Sequence, residues 1–225
     1  MEGLRTAVST PRSMVYYIYI SAYNLLRGGH KRMCGRYQFT AEQCEEIRRI
    51  AQAIQKKYGK GAWTPGDVRP ANVAPVILYD GGELAPRLMK WGYQTPGTLV
   101  INARVETATA KPMFRESVRS RRCLIPSTGF YEWDANKRKY LFTLPGQDVL
   151  YMAGLYDRRD NEDCYCVLTT APNPSMQPIH DRMPLILTGE QRRRWLADTD
   201  VAAEILAMVP PELVRTSAER QISLW

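Results

Sequence analysis

The sequence predicts an α+β protein: a curved, mostly antiparallel β-sheet or barrel with peripheral helices, built as a single domain. Short apolar runs bounded by Gly, Pro, Asn and Asp recur through the middle of the chain, as consecutive short strands do. Helical spacing is confined to a stretch near residue 50, one near 115 and two close to the end. With 225 residues, 44% of them hydrophobic, the chain is long enough to bury one full core, and no internal repeat divides it.

Residues 1–32 read differently from the rest. Met14 to Leu26 is apolar and Tyr-rich, but no small-residue cleavage site follows, and the run is too short to span a bilayer. Gly28-Gly29 can be encoded GGA-GGN, a ribosome-binding sequence three codons ahead of Met33. Residues 1–32 are therefore expected to be leader DNA read as protein, or a propeptide, and residues 33–225 the working domain.

The elements of that domain follow in order. Thr40 with Gln43 reads as a capping box, Cys44, Ile47, Ile50, Ala51, Ile54 and Tyr58 recur at helical spacing, and Gly59 stops the helix. Trp63 to Pro75, dense in Pro and Gly, reads as an ordered loop. Val76 to Tyr79 and Leu84 to Tyr93 form a hairpin about Gly81-Gly82. Strands are expected at Leu99 to Ala103, Arg122 to Ile125, Gly129 to Trp133, Tyr140 to Leu144, Leu150 to Tyr156 and Tyr165 to Thr170. Helices are expected at Pro112 to Arg119, Gly189 to Ala197 and Val201 to Met208, and Leu213 to Trp225 carries no clear signal.

The formal net charge of +8 falls to +4 once residues 1–32, with five basic residues and one acid, are set aside. That balance permits a nucleic-acid partner without requiring one. Five cysteines form neither an even disulfide set nor a zinc pattern, which suggests a reducing compartment. Cys164 and Cys166 share one face of a strand and read as packing, with a metal as the alternative. Neither a P-loop nor a dinucleotide fingerprint nor a zinc-hydrolase motif is present, so no cofactor and no metal is expected.

Chemistry is concentrated in four places. Cys34 follows Met33 directly, so a chain starting at Met33 and trimmed of its initiator exposes an α-amine and a thiol on one residue. These titrate near ~8 and ~8.5, and against an aldehyde they give a Schiff base and then a five-membered thiazolidine. A small buried hydrophobe is the ordinary alternative for a lone cysteine. In Ile101-Asn102-Ala103-Arg104-Val105-Glu106, positions 102, 104 and 106 share one face of a strand, a solvated face being the ordinary alternative. Glu132 lies between Tyr131 and Trp133, surroundings that desolvate a carboxylate and raise its pKa toward that of a general acid. His180 sits beside Asp181 and Arg182, between Pro178 and Pro184. Trp91, at the end of its strand, is either core or a platform for a base. Arg115, Arg119, Arg121 and Arg122 read as a solvated helix end, with added positive charge for a nucleic acid as the alternative, and Arg192 to Arg194 as solvated helix surface.

Met33-Cys-Gly-Arg-Tyr37, Asn72-Val-Ala-Pro75, Trp91-Gly92, Ile101-Asn-Ala-Arg-Val-Glu-Thr-Ala108, Gly129-Phe-Tyr-Glu-Trp133 and Ile179-His-Asp-Arg-Met-Pro184 together resemble the ordered motif set of the SOS-response-associated peptidase (SRAP) family, the abasic-site processing proteins. The resemblance implies capture of ring-opened abasic sites in single-stranded DNA as a thiazolidine crosslink, with autoproteolytic and lyase-like activity. It implies that Cys34 is the covalent residue, that Asn102 positions the sugar and the terminal amine, that Glu132 assists ring opening, and that His180 shuttles protons at the Schiff base. Arg36 and Arg104 resemble the phosphate-contacting arginines, and Trp91 an aromatic near the lesion. The expected partner is single-stranded DNA containing abasic sites, with no membrane association, for a monomer that is cytoplasmic and nucleoid-associated when bound. Two other readings compete: a cysteine protease or amidohydrolase using Cys34, His180 and Glu132 on external substrates, and a non-covalent single-strand binder.

Overall fold

The computed structural model describes residues 35–40, 44–198 and 200–218. The fold is α+β and mostly strand. Five strands close on one another: β3 (Val73–Asp80) pairs with β4 (Glu83–Trp91) and β8 (Arg122–Ser127), β8 with β11 (Leu150–Arg159), β11 with β12 (Glu162–Thr170), and β12 returns to β4. All of these pairings are antiparallel except β12 with β4. Gly154 sits where β8, β11 and β12 run side by side, and a Cβ there would lie 2.7 Å from Ile125 Cδ1 and 2.8 Å from Cys123 Sγ. Only glycine lets the strands approach this closely.

Three further strands extend this barrel. β13 (Met183–Pro184) and β14 (Ile186–Leu187) add to β12 and β11, and β7 (Asn102–Arg104) runs parallel to β12. A second, antiparallel sheet has the order β15-β10-β9-β1-β2, from Val214–Ser217, Lys139–Thr143, Gly129–Trp133, Tyr37–Phe39 and Gly66–Val68. β5 (Tyr93–Thr95) and β6 (Thr98–Val100) form a small hairpin.

Helix α1 (Glu45–Tyr58) buries the stripe Ile47, Ile50, Ala51 and Ile54, carries Glu45 and Glu46 in its first turn and Lys56 and Lys57 in its last, and ends at Gly59 with φ 90°. Both charge placements favour the helix dipole. The expected capping box is not formed. The N-cap is Cys44 without a side-chain cap bond, Thr40 Oγ1 instead lies 2.9 Å from Thr128 Oγ1, and Gln43 is outside the described residues. The loop expected over 63–75 contains β2 and the first three residues of β3, because β1 offers β2 a partner that local composition does not reveal. The expected strand from Leu84 to Tyr93 is broken at Gly92, whose φ of 115° turns the chain. β15 is exposed throughout, so it shows no alternation to read, and it exists by pairing with β10.

The short helices are α2 (Val105–Ala108), α3 (Arg115–Ser120), α4 (Glu190–Ala197) and α5 (Ala202–Leu206). The reading of Arg122 as a solvated helix end is corrected here. Its side chain is buried and donates to the carbonyls of Val118, Arg119, Trp195 and Asp198, closing the C-terminal ends of α3 and α4 together. Burial lowers its pKa, yet a guanidinium stays charged at any ordinary pH. Cys164 and Cys166 share the buried face the spacing predicts, and burial pushes both thiols up, Cys166 to about 12. Among the described residues no group of three or more His, Cys, Asp or Glu side chains is placed to hold a metal ion.

Truncating Arg122 frees four carbonyls at once, two of them in buried bonds. Arg122→Ala is expected to lower stability by about 3 kcal/mol or more in urea titration, and Arg122→Lys to restore only part, since a point ammonium cannot reach both helix ends.

Candidate functional site

The candidate residues lie on strand β1, strand β9, strand β7 beside the end of β12, and the loop that follows β12. β1 pairs with β9, Tyr37 opposite Phe130 and Gln38 opposite Gly129. One more bond, from the Tyr131 N–H to the Arg36 carbonyl at 2.9 Å, carries the pairing past the ladder, so the chain at Gly35 comes level with Glu132. Cys34 lies outside the described residues.

Glu132 is buried. Strand alternation puts it on the face of Phe130, which stacks on Phe142 in the interior, while Tyr131 and Trp133 point to the other face. The carboxylate is therefore shielded from water by the interior it enters, not by the two aromatics next to it in sequence. On that inner face the Tyr37 hydroxyl, also fully buried, shares a 2.6 Å hydrogen bond with the Tyr165 hydroxyl of β12. This bond joins the second sheet to the barrel.

β12 organises the remaining residues. Asn102, Ala103 and Arg104 lie beside Val167, Leu168 and Thr169 in parallel register. Ile101, Ala103 and Val105 are buried while Asn102 is half-buried and Arg104 exposed, the alternation the spacing predicts. At Val105 the strand becomes α2, so Glu106 occupies a helical turn instead of a third strand position. There it receives two hydrogen bonds from Arg182, at 2.6 and 2.9 Å, and Arg182 also donates to the Thr169 carbonyl. His180 ends the second of two successive turns, the first begun by Asn173, whose buried side chain holds the Pro210 and Pro211 carbonyls. The His180 ring is buried, with Nδ1 2.8 Å from Asp181 Oδ1 and 3.2 Å from the Arg182 amide. Protonated Nδ1 donates to the carboxylate and bare Nδ1 accepts from the amide, so the loop supports both tautomers. The structure thus brings Asn102, Arg104, Glu106, His180 and Arg182 together at the end of β12.

Trp91 does not join them as a platform. It is fully buried, donates from Nε1 to the Ile101 carbonyl at 3.0 Å, stacks on Tyr165 and lies 5.2 Å from Tyr37. With neither face open to solvent it cannot stack on a base, and its part is to support the strand leading into Asn102. Arg36 is partly exposed, 3.9 Å from Asp67, with its guanidinium 5.5 Å from the Trp133 ring.

Residues 33–222 match the sequence profile of SOS response associated peptidase (SRAP). The chain belongs to the SRAP family. Among SRAP relatives, it is 33% identical over 181 residues to the abasic site processing protein YoqW of Bacillus subtilis, covering 73% of this chain and 80% of that one. It is 29% identical over 183 residues to the abasic site processing protein YedK of Escherichia coli, covering 73% and 79%. A crystal structure of a protein from Bacteroides thetaiotaomicron superimposes with a TM-score of 0.68 at 26% identity, over 83% of this chain and 93% of that one. Among the described residues no helix of this SRAP chain is long and apolar enough to cross a membrane.

Sequence reasoning missed three contributors. Arg182 stands in the sequence only as a neighbour of His180, although its charge complements that of Glu106. Tyr37 and Tyr165 are 128 residues apart, and nothing in the sequence couples them.

The Glu106–Arg182 pair makes a pH-dependent contribution. Hydrogen bonding from Arg182 holds the Glu106 carboxyl below its usual range, with burial opposing. A carboxyl depressed in the folded state adds stability above its unfolded pKa and loses it as pH falls through the folded value. Because 48% of the Glu106 side chain is exposed, screening limits the effect to about 0.5–1 kcal/mol. Glu106→Gln is expected to lower the urea midpoint at pH 7, and the gap from the unmodified chain to vanish in acid below the Glu106 pKa.

Proposed function

We propose that this chain processes abasic sites in single-stranded DNA by covalent capture through Cys34. The observation that carries the reading is the β1–β9 pairing, which runs the chain from the Met33–Cys34 end alongside the strand bearing buried Glu132. Membership of SRAP, the names of the relatives, and a family match that starts at residue 33 support it. The working domain in this reading is 33–225, because a peptide nitrogen cannot form a Schiff base and Cys34 must be amino-terminal. Translation from Met33 with removal of the initiator, or self-cleavage before Cys34, meets that need.

The chemistry balances without a cofactor. An abasic sugar is largely a closed hemiacetal, and opening it requires a proton delivered to the ring oxygen as the anomeric hydroxyl loses one. Glu132, the buried carboxyl nearest the β1 entry by register, is assigned that transfer. The Cys34 amine adds to the aldehyde carbon and water leaves to give the imine. The thiolate then adds to the imine carbon, the nitrogen takes up a proton, and the thiazolidine ring closes. Asn102 orients the sugar and amine, and His180, with partners for either tautomer, moves protons at the imine and during reversal. Arg36 and Arg104 hold backbone phosphates, a task suited to a permanently charged planar fork.

Mass spectrometry of the purified protein before and after incubation with an abasic oligonucleotide reports both the amino terminus and the adduct. We expect a chain beginning at Cys34 and one added oligonucleotide less one water. Cys34→Ser is expected to abolish heat-stable adducts while leaving strand binding intact. Glu132→Gln is expected to slow capture by about 10²–10⁴, and capture at the unmodified rate would remove Glu132 from the mechanism. Arg104→Ala is expected to reduce the slope of log affinity against log salt by about 0.7, the value of one phosphate contact on a single strand.

A further inference from the structure

We propose that the groove between α1 and α4, on the outer face of the barrel, is a docking site for a protein partner: an acidic peptide segment that carries aliphatic or aromatic anchors. The groove encloses about 400 Å³. It shares no residue with Asn102, Arg104, Glu132 or His180, so it stands whether or not Cys34 captures abasic DNA.

The floor is apolar because register makes it so. Ile77 of β3 lies opposite Leu124 of β8, and Leu124 opposite Ala153 of β11, so Ile77, Leu124 and Tyr151 share one face of three neighbouring strands. All three are buried. The β3–β4 hairpin raises Tyr79 and Leu84 along one side, 41% and 59% exposed. A single exposed apolar side chain needs no explanation, but two on the wall of one apolar groove with a charged rim mark a place of contact. The rim is supplied by Glu46 in the first turn of α1 and by Arg192 and Arg193 of α4.

Hydrogen bonding divides the three consecutive arginines. Arg194 is fully engaged by Glu204, with bonds of 3.0 and 2.8 Å. Arg192 and Arg193 keep donors in reserve, since the carboxylates they pair with, Glu46 and Glu190, are each 3.9 Å away and outside hydrogen-bonding range. Arg192 is held 4.7 Å over the Tyr151 ring, and the Tyr151 hydroxyl donates to Glu46 Oε1 at 2.5 Å. Burial and that bond push the Tyr151 pKa up, so the hydroxyl remains a donor and Glu46 keeps Oε2 for another partner. The rim therefore offers two guanidiniums that donate and one carboxylate oxygen that accepts, above an apolar floor. A peptide answers all three. Its carboxylates accept from the guanidiniums, a backbone N–H donates to Glu46, and its apolar side chains fill the floor. A phosphodiester backbone has acceptors only and meets Glu46 as a like charge. Two cations against one anion give the preference for an acidic segment.

The test uses the full chain and a short, fluorescently labelled synthetic peptide with two leucines and a phenylalanine set among aspartates, followed by anisotropy. We expect saturable binding that weakens with added salt. Leu84→Asp removes one wall and places a like charge against the peptide, at a position exposed enough to spare the fold, and is expected to weaken binding by about tenfold or more. Arg193→Gln is expected to weaken it by about two- to fivefold, the range for an exposed ion pair. Arg194→Gln, whose guanidinium is turned to Glu204, is expected to leave it unchanged. Absence of peptide binding at millimolar concentration would overturn the proposal. Equal losses in Arg193→Gln and Arg194→Gln, or equal affinity for a peptide with serines in place of its apolar residues, would reduce the contact to general charge and overturn it too. Displacement of the peptide by an undamaged oligothymidylate would assign the groove to nucleic acid instead. Capture of an abasic oligonucleotide by Leu84→Asp is expected at the unmodified rate, and a slowed rate would overturn the separation of the groove from the lesion site.

Discussion

Two sheets must be held in one relation for this protein to have a site, and the bond between the Tyr37 and Tyr165 hydroxyls is where they are joined inside the core. β1 belongs to the second sheet and leads back toward Cys34, whereas β12 belongs to the barrel and carries Asn102, Arg104 and the His180 loop at its end. A buried hydroxyl costs free energy unless it is bonded, so each tyrosine fixes the other's place. Trp91 packs against both rings and reaches the Ile101 carbonyl, which extends the link to the residue before Asn102.

Barrel closure provides the rigidity behind this arrangement. β12 is paired with β4, β11, β7 and β13, so whatever is attached to it inherits a fixed geometry. Arg182 uses that rigidity, anchoring the His180 loop to the Thr169 carbonyl and to Glu106 at once. Arg122 does comparable work at the periphery, where α3 and α4 are too short to be stable alone and share one guanidinium as their C-terminal cap.

One strand, β9, separates two kinds of chemistry. Its inward residue Glu132 is buried. The residues of its other face, Tyr131 and Trp133, lie under the cations Lys139 and Arg36. The two-residue period of a strand is enough to give adjacent residues these opposite environments.

The sequence by itself determined the fold class, the buried stripe and the Gly59 end of α1, the bounds of β9, and the motifs holding Cys34, Asn102, Glu132 and His180, because period and motif order are local properties. It left Trp91 open between core and platform and misread Arg122 and the aromatic shielding of Glu132, since burial depends on what packs from elsewhere in the chain. Strands β2 and β15 were illegible for a related reason: three or four residues without alternation become strand only when a neighbour presents free backbone groups. The Tyr37–Tyr165 bond and the Arg182 anchor were decided by tertiary structure alone, because pairing register brings together residues whose separation along the chain encodes nothing about their contact.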